Sequence, residues 1–120
     1  MTKRVVLIDD DARNTFALAA ILKTRSVVCT SYAEAAEAIS ALSQAEEIPD
    51  AILIDMMMPE MDGFEAIPKI KAISRLKDVP VISVTALAMK GDKEKCLEAG
   101  ADYYISKPID VDILFQLLKI

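Results

Sequence analysis

Three aspartates, a threonine and a lysine stand at the ends of apolar runs spread along the whole chain. Asp9 and Asp10 follow Val5-Val6-Leu7-Ile8, Asp55 follows Ala51-Ile52-Leu53-Ile54, Thr85 follows Val81-Ile82-Ser83-Val84, and Lys107 follows Tyr103-Tyr104-Ile105-Ser106. Each polar group lies where a short buried strand opens into a loop. In an open parallel sheet, ligands bind outside the carboxyl ends of the strands, so all five groups meet at one edge. Three carboxylates in one cleft repel one another unless cations sit among them. A hard, oxygen-seeking ion is the natural choice, and magnesium suits a site with few protein ligands and room for water and phosphate. Lys107 supplies a second, fixed positive charge. Taken singly, Asp55 reads equally well as the start of a turn, since methionines, Pro59 and Asp62-Gly63 follow it. The chemistry is in the set.

The elements that must position this set can be taken in order. Lys3 to Ile8 is a continuous β-branched-rich run, as expected of a central parallel strand. From Arg13 to Lys23 the spacing predicts a helix with Phe16, Ala17, Ala20 and Ile21 facing inward and Leu18 and Leu22 widening the stripe. Val27 to Thr30 is a short second strand. Ser31 and Glu34 then form a capping box that opens an alanine-rich helix through about Leu42. Gln44 to Asp50 is the loop into the Asp55 strand. Asp62 caps a third helix, with Glu65 as reciprocal partner and Phe64, Ile67, Ile70 and Ile73 on its inner face. Pro68 falls past the first turn of that helix, removes a hydrogen bond and should bend the axis.

Val79 to Val84 is the fourth strand, and a loop from Ala86 to Gly91 leads to a helix from about Asp92 to Ala99, closed by Gly100 in the left-handed position. Tyr103 to Ser106 is the fifth strand, and Asp110 caps a last helix with Ile113, Leu114, Leu117 and Leu118 inward. Five strands alternating with five helices require an α/β fold with a parallel sheet covered on both faces.

Composition narrows the function. At 120 residues the chain is expected to be one domain, residues 1–120, with a real core. Apolar residues make up 53% of it, yet no uninterrupted run approaches the ~20 residues of a membrane span. Met1-Thr2-Lys3-Arg4 and the short run after it lack the features of a signal peptide, so the chain reads as cytoplasmic. Cys29 and Cys96 have no metal-type spacing and read as reduced packing residues. A net charge of −5 argues against nucleic acid as a direct partner. The absence of histidine removes most hydrolase triads and most zinc sites.

Across essentially its full length the chain resembles the receiver domains of bacterial two-component response regulators. The residues that carry the likeness are Asp9 and Asp10, the stretch from Asp55 through Met58-Pro59 to Asp62-Gly63, Thr85-Ala86, and Lys107-Pro108. The run from Thr85 to Gly100, with Ala-Leu-Ala-Met-Lys-Gly-Asp, further resembles receivers attached to hybrid histidine kinases. The resemblance implies a flavodoxin-like (βα)5 fold with strand order 2-1-3-4-5. It also implies that Asp55 is the phosphoacceptor, a nucleophile that takes a phosphoryl group from a phosphohistidine donor and forms an acyl phosphate.

On the same resemblance, Mg2+ (or Mn2+) would be bound by Asp10, Asp55 and the backbone carbonyl of Met57, with Asp9 acting largely through water. Lys107 would pair with Asp55 and then with the phosphate. The Thr85 hydroxyl and the Ala86 amide would take another phosphate oxygen. Pro108 would follow a cis bond that keeps Lys107 aimed inward. Asp11 is not required by the family and reads as a helix cap. Thr85 and Tyr104 would form the switch, changing the surface of the fourth helix, fifth strand and fifth helix that selects an output partner. The donor would be a histidine kinase or histidine phosphotransfer domain. Arg13, Asn14 and Phe16 lie near the pocket and could help to dock it, and homodimerisation is a further option. The module would turn over only its own phosphate. Met57 offers no acid or amide to position a hydrolytic water, which implies slow loss of that phosphate.

Three other classes compete. An aspartyl phosphatase would carry a second acid two residues beyond the nucleophile, where this chain has Met57. A flavodoxin-like cofactor binder would need a Gly-rich phosphate loop that the chain lacks, at an edge without so many carboxylates. A receiver that signals by contact alone would not keep the full set of Asp9, Asp10, Asp55, Thr85 and Lys107. The last helix stops at Ile120 with nothing after it to act as output, which fits either a single-domain regulator or a piece of a longer protein.

Overall fold

Strands that are apolar at every position need cover on both faces, and the sheet provides it. The computed structural model describes residues 3–86 and 91–120. Its strands are β1 (Lys3–Ile8), β2 (Val27–Tyr32), β3 (Ala51–Asp55), β4 (Val81–Thr85) and β5 (Tyr103–Ser106). They form one parallel sheet in the order β2-β1-β3-β4-β5. The helices are α1 (Ala12–Lys23), α2 (Ala35–Gln44), α3 (Gly63–Lys71), α4 (Asp92–Glu98) and α5 (Val111–Leu118), with a short 3-10 turn at Ser74–Leu76. The flavodoxin-like α/β fold and strand order expected from the sequence are those of the protein.

Alternation along the strands divides the core in two. Val6, Ile8, Ile52, Ile54 and Val81 face one side, against Ala38 and Leu42 of α2, Ile67 and Ile70 of α3 and Cys96 of α4. Val5, Leu7, Leu53, Ile82 and Val84 face the other, against Leu18 and Leu22 of α1 and Leu114 and Leu118 of α5. Each fully buried Leu or Ile contributes about 1.5–3 kcal/mol by leaving water. Every residue of β3 and β4 is buried, so Asp55 and Thr85, their last residues, are carried into the interior by the strands that end with them.

Several local expectations need correction. The Ser31–Glu34 capping box does not form: Ser31 lies inside β2, and α2 starts at Ala35 with no side-chain cap from Glu34. β2 runs on because β1 offers partners as far as Ile8, which pairs with Tyr32, and the Asp9 N–H then donates to the Tyr32 carbonyl at 3.1 Å. In α1 the buried stripe is Leu18 and Leu22. Phe16 is 78% exposed, and Ala17 and Ala20 face out with it, because the stripe that packs on the sheet is the one through Leu18 and Leu22. In α5, Leu114 and Leu118 are buried while Ile113 is 46% exposed. β4 begins at Val81, two residues later than expected.

The other cap residues hold their places: Asp11 accepts from the Arg13 and Asn14 amides, Asp110 from those of Asp112 and Ile113, and Asp62 from the Glu65 amide, without the reciprocal bond expected from the Glu65 side chain. α3 continues through Pro68 to Lys71. Gly100 has φ +116°, a backbone that glycine adopts without strain. Cys29 is half-buried and Cys96 buried, both as free thiols whose pKa burial pushes up. Residues 87–90 of the expected loop from Ala86 to Gly91, and Met1 and Thr2, lie outside the described residues. Among the described residues no helix is long and apolar enough to cross a membrane.

Candidate phosphoacceptor site

Asp9 at the end of β1 and Asp55 at the end of β3 are both buried, at 8% and 6% exposure, whereas Asp10 is exposed. Each of the three offers a carboxylate oxygen within 4.8 Å of the others. Lys107, one residue beyond β5, lies between the buried pair: its Nζ is 3.4 Å from Asp55 Oδ2 and 3.6 Å from Asp9 Oδ2. The Lys107 N–H donates to the Thr85 carbonyl at 2.8 Å, which ties the β5 loop to the end of β4. Lys107-Pro108 is a cis peptide.

The two oxygens of Asp55 have different surroundings. Oδ1 accepts from the Met57 N–H at 3.0 Å, and Oδ2 faces Lys107. Burial is the main force on its pKa and pushes it up. The Asp9 charge pushes the same way, while the Met57 amide and Lys107 oppose both. One ammonium among three carboxylates leaves the pocket with net negative charge. That imbalance, together with the oxygen-only donor set and the exposed Asp10, fits a hard divalent cation with several water ligands.

Thr85 is 1% exposed at the end of β4, and Ala86 after it is exposed. Met57 is 53% exposed beside the Asp55 carboxylate. Tyr104 is half-buried on β5, directly across from Ser83 of β4, and packs against the α2–α4 side of the core. Burial, together with the Cys96 thiol and the Asp92 carboxylate on α4, pushes its phenol pKa up. Asp9, Asp10, Asp55, Thr85 and Lys107, picked out by position in the sequence, thus arrive at one edge. One contact was not anticipated: the Asn14 side chain, expected to face a partner, donates from Nδ2 to Asp9 Oδ2 at 3.0 Å. The available signal was its place in the first turn after the Asp11 cap, which sits over the end of β1.

A doubly wound parallel sheet whose acidic cleft lies at its carboxyl edge has that cleft where folds of this class bind their ligands. A family model for the response regulator receiver domain matches residues 5–119, and the chain belongs to that family, whose members are phosphoacceptor domains of two-component signalling. It is 34% identical over 119 residues to the polar-differentiation response regulator DivK of Brucella ovis, covering 99% of this chain and 95% of that protein. It is 36% identical over 119 residues to the response regulator PleD of Caulobacter vibrioides, covering 99% of this chain but 26% of that larger protein. Among solved structures it is similar to the receiver domain of sensor histidine kinase PA1611 from Pseudomonas aeruginosa PAO1. That match has a TM-score of 0.88 and 31% identity over 99% of this chain and 96% of that one. The PA1611 structure holds a magnesium ion in its active-site cleft.

Proposed function

We propose that Asp55 accepts a phosphoryl group from a phosphohistidine donor in a Mg2+-dependent reaction, and that the acyl phosphate switches a partner-binding surface. The observation that carries this reading is the Asp55 carboxylate, buried at the mouth of β3, with Lys107 at 3.4 Å and the Asp9 and Asp10 carboxylates beside it. An Asp55 oxygen attacks phosphorus as the phosphorus–imidazole bond breaks, and the donor imidazole leaves as the neutral ring after taking a proton. Asp10, Asp55 and the Met57 carbonyl would hold the cation, with Asp9 acting through water. Bound there, the cation supplies positive charge against the phosphoryl oxygens as the bonds exchange. Lys107 stays within reach of the new phosphate, and the Thr85 hydroxyl and Ala86 amide take another of its oxygens.

The chain has no histidine, so the donor is a second protein, a separate part of a parent chain or a small molecule. Phe16, 78% exposed on α1, and Arg13 beside it form the face on which a donor helix would dock. The output face is that of α4, β5 and α5, where Leu97, Tyr103 and Ile113 are exposed around the switch residue Tyr104. The phosphate adds nearly two negative charges, and Thr85 moving toward it opens space for Tyr104, a shift between populations of one fold. We further propose a cytoplasmic module of one receiver domain over residues 1–120 that turns over only its own phosphate.

Intact-mass spectrometry after incubation with acetyl phosphate tests this. One phosphate is expected on the wild type in Mg2+, none after chelation, and none on Asp55→Asn or Asp55→Ala. With the donor removed, the phosphate should be lost slowly, because the exposed Met57 side chain cannot hold an attacking water. Phosphate on Asp55→Ala, or transfer without a divalent cation, would overturn the reading.

A further inference from the structure

We infer that Asn14 is a positioning residue of the acidic pocket, which holds Asp9 in place with a neutral donor and thereby leaves Lys107 shared with Asp55. The inference rests on reading the pocket as a magnesium-dependent phosphoacceptor site. Asp9 is 8% exposed, so its carboxylate must be satisfied from within the protein. Oδ1 accepts from the Asp11 N–H at 2.8 Å, and Oδ2 accepts from Asn14 Nδ2 at 3.0 Å. Both short bonds come from amides. They fix the carboxylate without cancelling its charge, which remains available to a cation.

The geometry of Lys107 shows what the Asn14 bond does. Its ammonium donates a long hydrogen bond to Asp55 Oδ2 at 3.4 Å and only pairs with Asp9 Oδ2 at 3.6 Å. Without Asn14, the buried Asp9 Oδ2 keeps the ion pair with Lys107 and draws that ammonium toward it. The cation site then loses an oriented carboxylate and gains a competing charge. Asn14 is itself held: its backbone N–H and that of Arg13 are capped by Asp11 Oδ1, at 3.4 and 3.0 Å, so the first turn of α1 aims the carboxamide back at the end of β1. Partners that orient a metal ligand typically change affinity or activity by 10–100-fold when removed.

The test compares wild type, Asn14→Leu and Asn14→Gln. Leu keeps the branched outline of the side chain and favours the helix more than Asn does, but removes the donor, and Gln restores a carboxamide on a longer arm. Mg2+ affinity is measured by isothermal titration, beside the Mg2+ dependence of phosphorylation by acetyl phosphate and the melting temperature of metal-free protein. Asn14→Leu is expected to bind Mg2+ about 10-fold more weakly and to need correspondingly more Mg2+ for half-maximal rate. Asn14→Gln should recover most of the loss, and the metal-free melting temperature of Asn14→Leu should fall by no more than one lost hydrogen bond to a buried carboxylate accounts for. Wild-type Mg2+ affinity in Asn14→Leu overturns the inference, as does a loss that Asn14→Gln does not recover, which assigns the effect to packing. A wild type that binds no Mg2+ instead overturns the underlying reading of the pocket, and the inference with it.

Discussion

Charge is handled in opposite ways at the two edges of the sheet. At the amino edge Asp102, Glu47 and Asp50 each meet a matched donor: Lys71 Nζ bonds Asp102 Oδ2 at 2.8 Å and the Val79 carbonyl at 2.9 Å, and the same Asp102 oxygen accepts from the Val81 N–H at 2.8 Å. Arg4 bonds Glu47 at 2.9 Å, and its N–H donates to Asp50 at 2.7 Å. At the carboxyl edge Asp9, Asp10 and Asp55 gather around one ammonium that stands no closer than 3.4 Å to Asp9 or Asp55. Paired and short contacts stabilise a fold. An unbalanced, buried and long-range cluster costs stability and is kept where function needs it.

Removing Lys107, the one cation in the acidic pocket among the described residues, should break this contrast most severely. Lys107→Ala is expected to cut the initial rate of phosphorylation by acetyl phosphate about 100-fold, the usual cost of losing one preorganised group that stabilises developing charge. A rate within a few-fold of wild type would mean that Lys107 is only a structural neighbour of Asp55. The matching change at the other edge, Lys71→Ala, should leave that rate unaltered and lower unfolding free energy by about 1 kcal/mol in denaturant titrations, since Asp102 is partly exposed and water can replace the pair.

The smallest effect concerns stability without metal. Burial raises the pKa of Asp55 in the folded state above its unfolded value. The favourable contribution of the protonated group is therefore complete below the unfolded pKa and is lost as pH rises through the folded one. Asp55→Asn removes that loss. In metal-free buffer at neutral pH the variant should melt at a higher temperature than wild type, and the gap should close as pH falls into the ordinary aspartate range. A variant less stable than wild type at neutral pH would show that Asp55 is a net structural asset, like Asp102.

How much of this was legible in the sequence depended on how local the cause was. The ends of β1, β3, β4 and β5 could be read because a long apolar run stops at a charged or polar residue, and the caps at Asp11, Asp62 and Asp110 because they act within three residues. The start of α2 could not, because pairing of Ser31 and Tyr32 with β1 outweighs a local capping pattern. The inner faces of α1 and α5 were partly misjudged: helical spacing allows several stripes, and contact with the sheet selects Leu18 and Leu22, and Leu114 and Leu118. Asn14 was read for its proximity to the pocket, but its bond to Asp9 depends on how α1 leaves β1, which no spacing rule reports.

The central claim is that the phosphoryl group is carried by one carboxylate, Asp55. Reduction of the phosphorylated protein with borohydride converts an acyl phosphate into the corresponding alcohol, and peptide mapping then locates it. Homoserine is expected in place of Asp55, dependent on Mg2+ and absent from unphosphorylated controls. Homoserine at Asp9 or Asp10, or phosphate that survives borohydride on a serine, threonine or tyrosine, would contradict it.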